Sequence, residues 1–186
     1  MRERESGKEQ WSVRHIEWEI PNEEIFEMED KYLGGIDEAM RAQGWSQDEI
    51  ENVHYGINEL LQSAILHGNL DWESPKEDAG WSDDGPSRED QIMAKLDEVK
   101  KQEGPNTGIK FWGDVSREQV VFFIQDHGKN FHKTETRKIT KPIRNERGEL
   151  QPSGYGKILI DSLGNEVGYE INEIGTLTTL RRDKSK

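Results

Sequence analysis

Three short groups of residues carry side chains whose type and spacing suit chemistry. Glu59, Ser63 and His67 recur at i, i+4 and i+8, so on a helix they stack along one side. A carboxylate with a hydroxyl one turn away can activate a nucleophile or share a cation. The same row also reads as the wet side of an amphipathic helix. Asp126-His127-Gly128 follows an apolar run, where a strand end would aim the acid into a cleft and the glycine would admit a ligand to the backbone. An ordinary turn uses the same residues. Gly154-Tyr155-Gly156-Lys157 opens a helical pattern, whose free amides attract phosphate and to which Lys157 adds positive charge. A flexible hinge would use the same glycines, and the spacing is not that of a Walker loop.

Other chemistries are excluded or unsupported. The chain has no cysteine, which removes disulfides, thiol catalysis and cysteine-ligated zinc. The histidines His15, His54, His67, His127 and His132 show no recognised zinc spacing. No Gly-x-Ser-x-Gly elbow occurs.

The elements that must position these groups can be read from periodicity. Val13, Ile16, Trp18 and Ile20 recur close to every second residue and predict a strand ending at Pro21. Ile25, Met28, Tyr32, Leu33, Ile36 and Met40 predict a helix over 22–43, weakened by Gly34-Gly35. The clearest helix runs from Ser46 to His67, with Ser46 and Glu49 forming a capping box and Ile50, Val53, Ile57, Leu60, Leu61, Ala64 and Ile65 making one apolar face. Residues 70–87 read as an acidic, solvated loop. Ser87 and Asp90 can cap a further helix with Ile92, Met93, Leu96 and Val99 on one face, ending at Gly104-Pro105.

Residues 107–115 and 118–126 read as a hairpin, and 154–167 as a helix with a glycine-rich start. Residues 168–172 and 176–182 read as a closing hairpin. Between them, 127–153 lack apolar periodicity and read as a long loop, of the kind that is often functional. Hairpins with helices grouped between them predict an α+β fold, a two-layer α/β sandwich whose mostly antiparallel sheet is covered on one face by helices.

Length and charge bound the rest. The 186 residues suit one domain over 12–182, with a charged tail at 1–11, an insertion near 70–105 and a short tail at 183–186. Only 31% of residues are hydrophobic and 34% are charged, so some stretches must be solvated. The 25 basic and 38 acidic residues give a net charge of −13, which disfavours nucleic acid and anionic membranes as partners. No stretch is long and apolar enough for a membrane span, and the first ten residues lack the apolar core of a signal peptide, so a cytoplasmic protein is expected. Against the acidic background, 127–153 carry seven basic and three acidic residues, a local excess of +4.

In chain order, these groups resemble the motifs of the GHKL ATPase superfamily, and most of all its anti-sigma-factor serine kinases. Glu59-Leu60-Leu61-Gln62-Ser63-Ala64-Ile65-Leu66-His67-Gly68-Asn69 is similar to the N-box. Asp126-His127-Gly128-Lys129-Asn130-Phe131 looks like the Asp-x-Gly-x-Gly-Phe box. Gly154-Tyr155-Gly156-Lys157, with Glu166-Val167 beyond it, looks like the second glycine box, and Gly175 to Arg182 like the final strand. The resemblance spans 12–182 apart from the insertion.

The resemblance implies a fold and a set of roles. Glu59 would be the general base, Asp126 would accept from the adenine amino group, Gly128 would let the base approach, and Thr176 would hold the same edge. Gly154, Gly156 and Lys157 would meet the phosphates, and 127–153 would form a basic lid over ATP. The family's magnesium-binding asparagine is Ser63 here, whose shorter hydroxyl is the candidate Mg²⁺ ligand, with Gln62 and Asn69 as amide substitutes. The second glycine of the Asp box is Asn130, which tolerates positive φ.

The implied function is an ATP- and Mg²⁺-dependent serine/threonine kinase acting on an antagonist protein and binding a sigma factor. The alternative is a catalytically weak GHKL nucleotide-binding module that acts as a protein-interaction switch. Family members often dimerise, so a homodimer is a further expectation.

Overall fold

The computed structural model describes residues 13–72, 87–103, 108–128 and 160–184. The N-terminal tail, the acidic part of the insertion at 73–86, the lid beyond Gly128 and the glycine box at 154–157 lie outside the described residues.

The strand expected at the start forms as β1 (Arg14–Pro21). The hairpin forms as β2 (Gly108–Val115) and β3 (Gln119–Gln125), and the closing hairpin as β4 (Glu166–Ile171) and β5 (Thr176–Asp183). All pairings are antiparallel, in the order β1-β2-β3-β5-β4, so the chain is α+β. Alternation sorts the two faces, because side chains switch sides at every residue. Ile20, Ile109, Phe111, Val115, Val120, Phe122, Ile124 and Leu180 are buried on one face. Trp18 stacks on Phe111 and Phe111 on Phe122, at 5.3 and 5.4 Å, which ties three strands together through ring contacts. On the opposite face Trp112 stacks on Phe123 at 5.4 Å, half-buried.

The helices are α1 (Gly34–Ala42), α2 (Gln47–Ser63) and α3 (Arg88–Glu103). The single helix expected over 22–43 is divided. A 3-10 turn at Asn22–Phe26 and a wide-turned segment at Glu29–Leu33 precede α1, which begins at the glycine pair. Ile25, Met28, Leu33, Ile36 and Met40 are nonetheless all buried, so packing against the core keeps the apolar residues inward while the turn changes pitch.

Helix α2 begins as its sequence dictates. Ser46 Oγ accepts from the Glu49 amide at 3.3 Å, and Glu49 Oε2 accepts from the Ser46 amide at 3.1 Å. Its apolar residues Ile50, Val53, Ile57, Leu60 and Leu61 are buried in the core. At its other end it departs from expectation. Residues Ala64–Asn69 continue with wide i→i+5 turns, closed by the Leu70 amide on the Ile65 carbonyl at 2.9 Å.

Two further expectations are corrected. On α3, Ile92, Leu96 and Val99 are buried, but Met93 is 48% exposed, because it sits about 100° round the helix from Ile92. The helix expected to reach Val167 stops earlier. Gly164 takes φ +82°, the left-handed stop that favours glycine, and Glu166-Val167 are the first residues of β4. The reciprocal cap of α3 forms as expected, with the Ser87 amide on Asp90 Oδ2 and the Asp90 amide on Ser87 Oγ, both at 3.1 Å.

Replacing Ser46 with Ala removes one acceptor from the N-terminus of the helix that fills the core. The expected cost is about 1 kcal/mol, read as a lower urea midpoint with an unchanged slope.

Candidate functional site

Three segments meet where β3 ends. The chain leaves β3 at Gln125 and continues through Asp126-His127-Gly128, the wide-turned end of α2 brings in Gly68-Asn69, and β5 starts beside them at Thr176. Asp126 and Thr176, expected to share an edge, are held together by the ladder. The Asp126 amide donates to the Thr176 carbonyl at 3.1 Å, and the Thr176 amide donates to Asp126 Oδ1 at 2.9 Å. The Gly128 amide reaches the same oxygen at 3.0 Å. Asp126 is 4% exposed, and among the described residues no hydrogen bond reaches its Oδ2.

Burial pushes the Asp126 carboxyl above its ordinary value. The Thr176 and Gly128 amides and the nearby His127 pull in the opposite direction without cancelling it. The Thr176 hydroxyl lies in the same buried setting and has no hydrogen-bond partner, although an unsatisfied buried hydroxyl is costly. Without hydrogen-bond partners among the described residues, this carboxylate oxygen and hydroxyl offer an acceptor and a donor–acceptor to a small polar ligand.

The absence of side chains makes the approach possible. A Cβ on Gly68 would lie 2.5 Å from Asp126 Oδ2, one on Gly128 would lie 2.5 Å from the Gly68 carbonyl oxygen, and one on Gly175 would lie 2.2 Å from the Asp126 carbonyl oxygen. From sequence Gly128 was expected to admit a ligand to the backbone; what the structure shows at Gly68, Gly128 and Gly175 is the close approach of three chain segments to one another.

A set of amide side chains braces this junction. Asn69 Oδ1 accepts from the His127 amide at 2.7 Å, while Asn69 Nδ2 donates to Asn22 Oδ1 at 2.7 Å and to the Gly108 carbonyl at 3.0 Å. Asn69 thus holds the end of α2 to the 3-10 turn, to β2 and to the Asp126 turn. Asn172 Oδ1 accepts from the Ile174 and Gly175 amides, and its Nδ2 donates to Gln125 Oε1 at 2.7 Å. Gln125 Nε2 in turn donates to the Asp126 carbonyl at 2.8 Å. The bracing roles of Gln125 and Asn172 escape sequence reasoning, because amide side chains at turns carry no periodic signal.

Glu59 and Ser63 lie one turn apart on α2, Glu59 half-buried and Ser63 exposed. Tyr55 precedes Glu59 by one turn; burial, and then the Glu59 charge, push its hydroxyl above the ordinary value. His67 is engaged elsewhere: its Nδ1 pairs with the Trp72 carbonyl at 2.8 Å, and its ring lies 6.3 Å from that of Trp72. Gln62, the other amide substitute, points its Nε2 toward Asn58 Oδ1 at 3.4 Å. Among the described residues no group of three His, Cys, Asp or Glu side chains is arranged to hold a metal. Asn130, Gly154, Gly156 and Lys157 lie outside the described residues.

No family model matches the chain, and comparison with curated proteins finds no relative. Among the described residues no helix is long and apolar enough to cross a membrane.

The carboxyl at 126 gives a signed expectation. Its folded value is raised, so between the unfolded and folded values the native chain holds more protons than the unfolded one. Stability therefore falls as pH rises through that window. Asp126→Asn keeps an oxygen for the two amides and removes the buried charge. It is expected to be at least as stable as the parent at neutral pH and to lack the acid-side fall, which urea unfolding across the acid-to-neutral range measures.

Proposed function

We propose that the chain is an ATP-binding domain of the GHKL type that transfers the γ-phosphate to a serine or threonine hydroxyl of a partner protein. The observation that carries this reading is the buried Asp126 carboxylate. Its Oδ1 is fixed by two backbone amides, one of them from Thr176, whose buried hydroxyl has no hydrogen-bond partner among the described residues. An adenine edge supplies the matching groups, an amino donor for Asp126 and a ring nitrogen for Thr176. Gly68, Gly128 and Gly175 let three backbone segments close around Asp126.

In this reading Glu59 takes the proton from the partner hydroxyl. That oxygen then attacks the γ-phosphorus, and the bond to the β-phosphate oxygen breaks, leaving ADP. Ser63, one turn on, would hold a magnesium ion with its hydroxyl, and the ion would neutralise charge between the phosphates. Such an ion takes most of its ligands from phosphate and water, so one hydroxyl suits it without a protein cage. Gly154, Gly156, Lys157, Asn130 and the basic 127–153 segment are assigned to the phosphates and their lid by resemblance. The proposed partners are a sigma factor and its antagonist, the proposed location is the cytoplasm, and a homodimer is the proposed assembly.

Calorimetric titration with ATP, with and without Mg²⁺, tests the site. Asp126→Ala is expected to weaken binding roughly 10- to 100-fold, as for loss of a hydrogen bond to a charged group worth about 1.5–3 kcal/mol. Glu59→Gln is expected to leave ATP affinity unchanged and to slow phosphate transfer by about 100-fold or more. Unchanged transfer would remove Glu59 as the base.

A second reading is favoured by Ser63, an exposed hydroxyl where the family motif carries an amide. The chain would then bind nucleotide and act as a protein-interaction switch with weak turnover. Ser63→Asn separates the two. A large gain in Mg²⁺-dependent turnover supports the switch, and a loss supports a working Ser63 ligand.

A further inference from the structure

A cavity of about 320 Å³ opens on the side of α2 next to the Glu59 row, and the nucleotide reading makes no use of it. It lies between α2, the 3-10 turn at Asn22–Phe26 and the first turns of α3. Its size is at the lower end of the range for small-molecule pockets. Ile25, Leu66 and Ile92 line it, each less than a tenth exposed, and give it an apolar wall. The Phe26 ring, 47% exposed, also borders it.

The polar lining is one-sided in charge. Among the described residues it consists of two carboxylates, Glu29 and Glu89, and two amides, Asn58 and Gln62. Neighbouring acids are matched by lysines: Glu23 lies 3.7 Å from Lys100 and Glu24 pairs with Lys31. Glu29 has only the neutral-or-charged His54 at 3.7 Å, and among the described residues Glu89 has no ion pair. The place of Glu89 in the first turn of α3 accounts for a carboxylate there. It does not account for an apolar hollow beside that carboxylate. Gln62 Oε1 adds a further acceptor, since only its Nε2 is engaged among the described residues.

We infer that this cavity binds an organic cation, a primary ammonium carried on a compact apolar body. The apolar part would bury against Ile25, Leu66 and Ile92. The ammonium would face Glu29, Glu89 and the Gln62 carbonyl, and the exposed Phe26 ring offers a cation–π contact. Neither half suffices alone: exposed carboxylates hold a bare cation weakly in water, and a hollow this small holds a neutral body weakly. The selectivity comes from their combination. A free amine and a lysine side chain flanked by an apolar residue present the same chemistry.

The test is calorimetric titration of the full chain with phenethylamine, with phenethyl alcohol as the neutral analogue. The amine is expected to bind at least about tenfold more tightly than the alcohol. The double variant Glu29→Gln/Glu89→Gln, altered at two exposed positions, is expected to lose that difference while its alcohol affinity stays the same. Ile92→Trp, which fills the hollow, is expected to lose both ligands, and Asp126→Asn to lose neither. Persistence of amine binding in Asp126→Asn separates this site from the nucleotide site, so either can fail without the other. N-acetyl-Phe-Lys-amide binding more tightly than phenethylamine supports a partner's side chain as the source, and the reverse order supports a free amine. Equal affinity for amine and alcohol, or no binding of the amine, overturns the inference.

Discussion

A carboxylate taken out of water needs hydrogen bonds close at hand, and the packing around Asp126 follows from that requirement. Its Oδ1 accepts two amides, one from its own turn and one from the start of β5. Those two bonds fix the direction in which the chain leaves β3 and the register at which β5 begins. They also bring the chain so close that Gly68, Gly128 and Gly175 leave no room for a Cβ. The three segments are therefore locked by one buried charge and three absent side chains. Asp126 Oδ2 and the Thr176 hydroxyl are left over, and these are the groups on which the nucleotide proposal rests.

Helix α2 links this junction to the core. One side carries Ile50, Val53, Ile57, Leu60 and Leu61 into the sheet, and the other carries Glu59 and Ser63. The wide turns of Ala64–Asn69 deliver Gly68 against Asp126 and place Asn69 where it binds the His127 amide, Asn22 and Gly108 together. Changes of helical pitch of this kind are often found at functional sites, because they aim side chains that a regular helix cannot. The helix that carries Glu59 and Ser63 is thus tied to the Asp126 turn through Asn69.

The acidic character of the chain has a local structure of its own. Around the 22–33 segment several carboxylates meet lysines, yet the cavity beside Gln62 keeps carboxylates without a lysine against an apolar wall. The arrangement depends on α3, whose Ile92 and Glu89 supply one wall. An insertion that looked in sequence like a capped helix with a solvated approach thereby builds a surface feature with its own chemistry.

Much of the architecture was legible in the residues. Alternating apolar positions located β1, and apolar runs separated by short turns located the two hairpins to within a few residues, because a sheet imposes its pattern on its own sequence. Reciprocal Ser–acid pairs located the starts of α2 and α3, since capping is a contact over three residues. Asp126 and Gly128 were found as residue types at a strand end, whereas Thr176 was singled out only through the resemblance. What tertiary structure alone decided is non-local. The division of 22–43 and the wide turns after Ser63 answer to packing in the core, which outweighs local helical periodicity. The occupation of Asn69, the closeness of Gly68 and Gly175 to Asp126, the partnerless Thr176 hydroxyl and the cavity against α3 arise between residues tens of positions apart. A sequence records which side chains are present, but only the folded chain determines which polar groups find partners.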